Sequence, residues 1–176
     1  LNKPVGVICS CDDPRGRRTV IDLLPPEYRA GLHPVGRLDA DSHGALLLTD
    51  LGELTLKLTH PRYSHAKTYR VWVEGVPSEP VLDHWRRGFP LDGRLTRPAQ
   101  VRRLRAWGDR SLLEIELREG RNRQIRRMAE ALCHPVLDLQ RTAIAGLQLG
   151  TLAEGCWIWL SEGEWKPLLD RPAPLD

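Results

Sequence analysis

Lys67-Thr68-Tyr69-Arg70-Val71-Trp72-Val73-Glu74 alternates over its whole length. In an extended chain Lys67, Tyr69, Val71 and Val73 share one face, while Thr68, Arg70, Trp72 and Glu74 share the other. The segment therefore reads as a strand with one face on a core. Downstream, Ser78 stands before a helix running to about Phe89, with Pro80 in its first turn. Pro98–Ala106 and Leu112–Arg118 read as an antiparallel pair around Gly108-Asp109. Arg121–Cys133 reads as a helix whose apolar stripe is Ile125, Met128, Ala129 and Leu132. Upstream, the spacing of Leu51, Leu54 and Leu58 predicts a helix over Leu51–Thr59, and Thr19 can cap a short helix over Thr19–Leu24. Leu1–Ser10, Ala45–Thr49, Val136–Leu139 and Trp157–Leu160 read as further strands. Strands outnumber helices, and the helices are interspersed irregularly. That pattern predicts an α+β fold rather than a doubly wound parallel sheet. The tail from Asp170, with Pro172 and Pro174, is expected to be loose.

At 176 residues, 41% of them hydrophobic and 28% charged, the chain suits one globular domain with a real core. It has neither an apolar run long enough for a membrane span nor a secretory leader, so a cytoplasmic protein with no membrane partner is expected. The single methionine is Met128 and the chain opens on Leu1, which reads as a fragment with residues missing upstream. Cys9, Cys11, Cys133 and Cys156 lack zinc-ligand spacing, and the six histidines form no metal motif. No metal site is expected, and the cysteines read as reduced, mostly buried thiols.

Net charge is +3, but its distribution says more, because Arg outnumbers Lys 22 to 4. Arg118, Arg121, Arg123, Arg126 and Arg127 crowd one segment, and Arg102, Arg103 and Arg105 another. Guanidinium forks match phosphate and stack on bases, which suits a nucleic-acid partner. A solvated, Arg-rich surface accounts for the same clusters.

Three segments carry candidate chemistry. They are Gly36-Arg37-Leu38-Asp39-Ala40-Asp41-Ser42-His43-Gly44, Lys67-Thr68-Tyr69-Arg70-Val71, and Glu119-Gly120-Arg121-Asn122-Arg123-Gln124-Ile125-Arg126-Arg127-Met128. Taken singly, Asp39 or Asp41 can be a turn carboxylate, Tyr69 a half-buried strand residue, and the arginines a wet helix face. Taken together, in this order, they resemble the pseudouridine synthases of the RsuA branch. The resemblance extends from Leu1-Asn2-Lys3-Pro4 through Asp13-Pro14, Thr59-His60-Pro61 and Arg141-Thr142 to Gly146, nearly the whole chain. Ala45 stands where the family usually has Leu, and Thr49-Asp50-Leu51-Gly52 differs from the usual Thr-Asn-Asp-Gly. The small RNA-binding S4 domain that often precedes this catalytic domain is absent from the sequence.

The resemblance implies the pseudouridine synthase fold: a central, largely antiparallel mixed sheet, surrounding helices and an RNA-binding cleft. It also implies a lobe over residues 1–63, a second over 64–169, and a return of Trp157–Leu160 near the sheet's end. The implied reaction turns uridine into pseudouridine in ribosomal RNA, within a pre-ribosomal particle or free, with the large subunit slightly favoured. No atom enters or leaves, so no cofactor is implied. By resemblance Asp39 is the carboxylate that attacks C1′ or abstracts the 2′ proton. Tyr69 stacks on the uracil, and Arg126 is the cation that keeps Asp39 ionised against desolvation. Arg37 would fill the space left by the flipped base, and Lys67, Arg121, Arg123 and Arg127 are candidate phosphate contacts. A monomer is expected. The competing reading is a catalytically idle RNA-binding or ribosome-assembly module on the same fold.

Overall fold

The computed structural model describes residues 1–169. Its strands are β1 (Asn2–Lys3), β2 (His33–Pro34), β3 (His43–Ala45), β4 (Leu48–Thr49), β5 (Lys67–Glu74), β6 (Pro90–Leu91), β7 (Arg94–Leu95), β8 (Gln100–Trp107), β9 (Arg110–Leu117), β10 (Val136–Ile144) and β11 (Leu147–Gln148). Its α-helices are α1 (Gly52–Thr59), α2 (Glu79–Arg87), α3 (Gln124–Ala131) and α4 (Glu162–Leu169). One mixed sheet runs β1-β3-β10-β5-β9-β8, with β11 beside β10. β3 and β10 are parallel, and the other pairs of this sheet are antiparallel. The expected α+β class and mixed sheet are therefore present. Among the described residues no helix is long and apolar enough to cross a membrane.

The alternation of β5 decides which face of the sheet is covered. Tyr69, Val71 and Val73 are buried with Leu113, Ile115 and Leu117 of β9, and α2 and α3 close over them through Leu82, Trp85, Ile125, Met128 and Ala129. Truncating one such fully buried side chain to Ala costs about 2–5 kcal/mol, so the stripe that predicts α3 also anchors it. A second cluster joins α1 to α4 through Leu54, Leu58 and Leu168. Strands β1 and β3 belong to the same sheet as β5, through β10, so residues 1–63 and 64–169 share one sheet rather than forming two.

Several expectations need correction. Only Asn2–Lys3 of Leu1–Ser10 forms a ladder, because the chain then turns and Gly6 donates to the Ala40 carbonyl. Ala45–Thr49 divides between β3 and β4, which join different sheets. Trp157–Leu160 finds no partner strand among the described residues; its indoles pack edge-on against each other and Tyr28. The α3 helix begins at Gln124, because Arg123 takes a left-handed φ of 47°. Three of the four free cysteines, Cys11, Cys133 and Cys156, are exposed rather than buried. The β6–β7 hairpin and α4 had no signal in the periodicity. The expected loose tail from Asp170 lies outside the described residues.

The parallel contact of β3 with β10 depends on Gly44. Its φ is +111°, and a Cβ there would sit 2.2 Å from the Arg141 carbonyl oxygen and 2.6 Å from its nitrogen. Both obstacles are backbone and cannot rotate away. Gly44→Ala should destabilise by about 3 kcal/mol or more, a melting temperature lower by roughly 6–12 °C. Thermal unfolding checks this, and a melting temperature equal to wild type would refute the close-approach account.

Candidate active site

The Gly36–Gly44 segment crosses from β2 to β3 and carries Asp39. It is held from several sides by cations bound to its own carbonyls. Lys3 is fully buried, and its Nζ donates to the Pro4 and Ser42 carbonyls at 2.8 and 2.7 Å. Arg141 of β10, also buried, donates from Nε to the Ala45 carbonyl at 2.8 Å and from Nη1 to the Arg37 carbonyl at 3.3 Å. Arg126 of α3 donates from Nη2 to the Asp41 carbonyl at 2.7 Å and to Ser42 Oγ at 3.0 Å. Leu38 is buried in the same core cluster as Tyr69. Carbonyls that would otherwise lose water on burial thus meet charged donors, whose bonds are the stronger kind. The Asp39 carboxylate consequently has a fixed origin.

The ion pairs differ from expectation. Asp39 Oδ2 lies 3.5 Å from Nη1 of Arg123, which also grips both oxygens of Asp41 at 3.2 and 2.8 Å. The Arg126 side chain reaches Asp41, with Nε 3.4 Å from Oδ2, and makes no ion pair with Asp39. The guanidinium nearest Asp39 in this structure is thus that of Arg123, not that of Arg126 as expected. The left-handed turn at Arg123 folds its side chain back over the loop, while Arg126 sits beneath it, only 15% exposed. Bonding to Arg123, aided by the charge of Arg126, holds the Asp41 carboxyl below the usual range. Asp39 and Arg123 are 30% and 42% exposed, so their contact orients more than it stabilises; such pairs are worth about 0–1 kcal/mol.

Asp39, Tyr69 and Arg126 line one cleft of about 1170 Å³, bordered by α1, β5, β10 and the Glu119–Arg126 segment. This exceeds the roughly 300–1000 Å³ of small-ligand pockets. Tyr69, 8% exposed, forms part of its floor. The first turn of α3, through Gln124, Ile125 and Arg126, lines the same space. Among the described residues no group of three His, Cys, Asp or Glu side chains converges as metal ligands do.

The five expected RNA contacts separate into different classes. Arg37 is exposed at the cleft edge, and Lys67 lies at the floor. Arg123 also lines the cleft but is engaged by the two carboxylates. Arg127 does not line it, and its guanidinium is bound by Asp92 at 2.6 and 3.0 Å. Arg121 is a clamp: it donates to the Leu91, Arg94 and Leu95 carbonyls and pairs with Glu119, tying the β6–β7 hairpin to the loop before α3. In this structure Arg121 and Arg127, both expected at phosphate, are engaged as internal ties. Sequence reading missed Arg97, Arg118 and Arg141 as cleft residues. Arg141 had a signal, since it stands in the quoted Arg141-Thr142 motif. The clamp predicts that Arg121→Ala destabilises by about 1–3 kcal/mol, lowering the melting temperature by roughly 2–12 °C. An unchanged thermal unfolding curve would show the hairpin to be held otherwise.

Comparison with known proteins identifies the family. The profile described as RNA pseudouridylate synthase matches residues 1–131. Ribosomal large subunit pseudouridine synthase B of Bacillus subtilis (strain 168) is 41% identical over 157 residues, covering 88% of this chain and 64% of the relative. Ribosomal large subunit pseudouridine synthase E of Xanthomonas axonopodis pv. citri (strain 306) is 42% identical over 171 residues, covering 87% of this chain and 88% of the relative. A solved structure described as a pseudouridylate synthase superposes with a TM-score of 0.86 at 34% identity, covering 96% of this chain and 71% of that one. The chain spans less than two thirds of the Bacillus relative's length. Profile, identity and superposition extend well beyond the cleft into the sheet that carries it, and the chain belongs to the RNA pseudouridylate synthase family.

Proposed function

We propose that this chain isomerises uridine to pseudouridine in ribosomal RNA, with large-subunit RNA the favoured substrate. The observation that carries the reading is the placement of Asp39 and Tyr69 in one cleft, on a loop and a strand tied together through Arg141. The reaction breaks C1′–N1, turns the uracil, and joins C5 to C1′. Asp39 is the group that acts on the sugar, by attack at C1′ or by taking the 2′ proton; both routes need an ionised carboxylate at this place. Carboxylates act at anomeric carbons in the same manner in retaining glycosidases. Arg123, 3.5 Å from its Oδ2, aims Asp39. Tyr69 offers its ring face to the uracil, a contact worth about 1–3 kcal/mol.

A base reaches this depth only by leaving its stack, at about a few kcal/mol. Arg37, exposed at the edge and bound to no acidic side chain among the described residues, occupies the vacated space and meets phosphate. The chain acts as a monomer in the cytoplasm, where its RNA is. Names of relatives such as "Ribosomal large subunit pseudouridine synthase" support the choice of substrate.

Release of tritium from RNA carrying C5-tritiated uridine tests the reading, with large-subunit and small-subunit ribosomal RNA as parallel substrates. The wild-type chain should release tritium, and faster from the large-subunit RNA. Asp39→Asn should release none while still binding RNA, and Asp41→Asn should keep much of the activity. Release from neither RNA would replace this reading with the idle RNA-binding module. In RNA binding, Arg37→Ala should flatten the slope of log K against log salt by about 0.7. Arg127→Ala, which removes a cation already paired with Asp92, should leave that slope unchanged.

A further inference from the structure

Two cations on the cleft floor have no anion. Arg141 is 3% exposed, and while its Nε and Nη1 hold the loop, its Nη2 is buried without a hydrogen-bond partner. The Lys67 side chain has no hydrogen-bond or ion-pair partner among the described residues. Burial, followed by repulsion from Arg141, pushes the Lys67 ammonium below its ordinary value. Both side chains line the same cleft as Asp39. A buried or half-buried cation without a counterion is costly, and the half-buried Lys67 lies near enough to the buried Arg141 to feel its charge. Such an arrangement persists where a negative charge arrives.

Their position indicates which charge. Arg141 lies directly across the ladder from Tyr69, and Lys67 lies two residues before Tyr69 on the same face. Tyr69 is therefore flanked by both cations. A uracil stacked on its ring presents an edge to them. When C1′–N1 breaks, the bonding pair leaves with the uracil and spreads from N1 onto O2 and O4. The charge persists until C5 bonds to C1′, after which the C5 proton departs to a base. RNA phosphates, by contrast, are strongly hydrated and suit the exposed edge at Arg37.

We propose that Lys67 and Nη2 of Arg141 form the electrostatic site that receives the negative charge building on the uracil oxygens as the glycosidic bond breaks. The proposal rests on the pseudouridine reading and adds two residues that act on the leaving base. Preorganised donors of this kind act only where charge develops, so they favour the transition state over bound uridine.

The test compares single-turnover loss of the N-glycosidic bond for uridine and 5-fluorouridine at the target position, read by nuclease digestion and chromatography. Fluorine makes the base a better leaving group that needs less help. Lys67→Met, which breaks no side-chain hydrogen bond, should melt no lower than wild type and bind RNA with unchanged affinity and salt slope. It should cleave uridine about 100-fold more slowly, with a loss at least tenfold smaller for 5-fluorouridine. Arg141→Lys, which also gives up the ties of Nε and Nη1 to the loop, should lose rate on both substrates and still lose less on 5-fluorouridine than on uridine. Equal losses on both substrates overturn the proposal, as does an undiminished rate. A fall in RNA affinity with a flatter salt slope overturns it in favour of a phosphate site. No turnover by the wild-type chain would instead sink the pseudouridine reading itself.

Discussion

The guanidinium of Arg141 and the backbone around it hold the molecule's functional half together. Its Cα lies opposite Gly44 on one side and Tyr69 on the other, so one residue of β10 joins the parallel and antiparallel parts of the sheet. Its side chain then bonds to the carbonyls of Arg37 and Ala45, on either side of Asp39. The loop carboxylate and the strand tyrosine are thus referred to the same rigid point. The close approach is permitted only because Gly44 has no Cβ, and backbone packing of that kind leaves the loop no second register.

Charge in this structure is organised in two layers. Beneath the loop, Lys3 and Arg126 bind carbonyls, where an ammonium or guanidinium satisfies an acceptor that water cannot reach. Above it, Arg123 spans Asp39 and Asp41 in partial contact with solvent, where ion pairs orient rather than stabilise. Between the layers, Lys67 and Arg141 Nη2 remain without a counterion. A cleft that neutralises its carboxylates yet leaves its deepest cations unpaired suits a reaction in which charge moves from the sugar bond to the base.

The arginines of residues 118–127 show how one compositional feature divides into separate tasks. Arg121 ties a hairpin, Arg127 pairs with Asp92, Arg126 holds a loop, and Arg123 aligns carboxylates. Little of the cluster remains for phosphate. The basic signal that suggests nucleic acid therefore describes, in large part, the construction of the cleft.

The sequence by itself determined the faces. The alternation of Lys67–Glu74 and the Ile125, Met128, Ala129 stripe encode which side of β5 and α3 is buried, because burial follows local periods of two and 3.6 residues. The motifs around Asp39 and Tyr69 were legible as a pair, and they line one cleft. Only the tertiary structure decided the partners. Whether Arg123 or Arg126 meets Asp39 depends on a left-handed turn and on the separation of a helix and a loop some 80 residues apart in sequence, which no local pattern carries. The same holds for strands. Trp157–Leu160 has strand composition but finds no ladder partner among the described residues, whereas the β6–β7 hairpin, closed locally at Asp92-Gly93, owes its place beside the loop before α3 to Arg121. Periodicity records what a residue is buried from; pairing depends on distance, and distance exists only once the chain has folded.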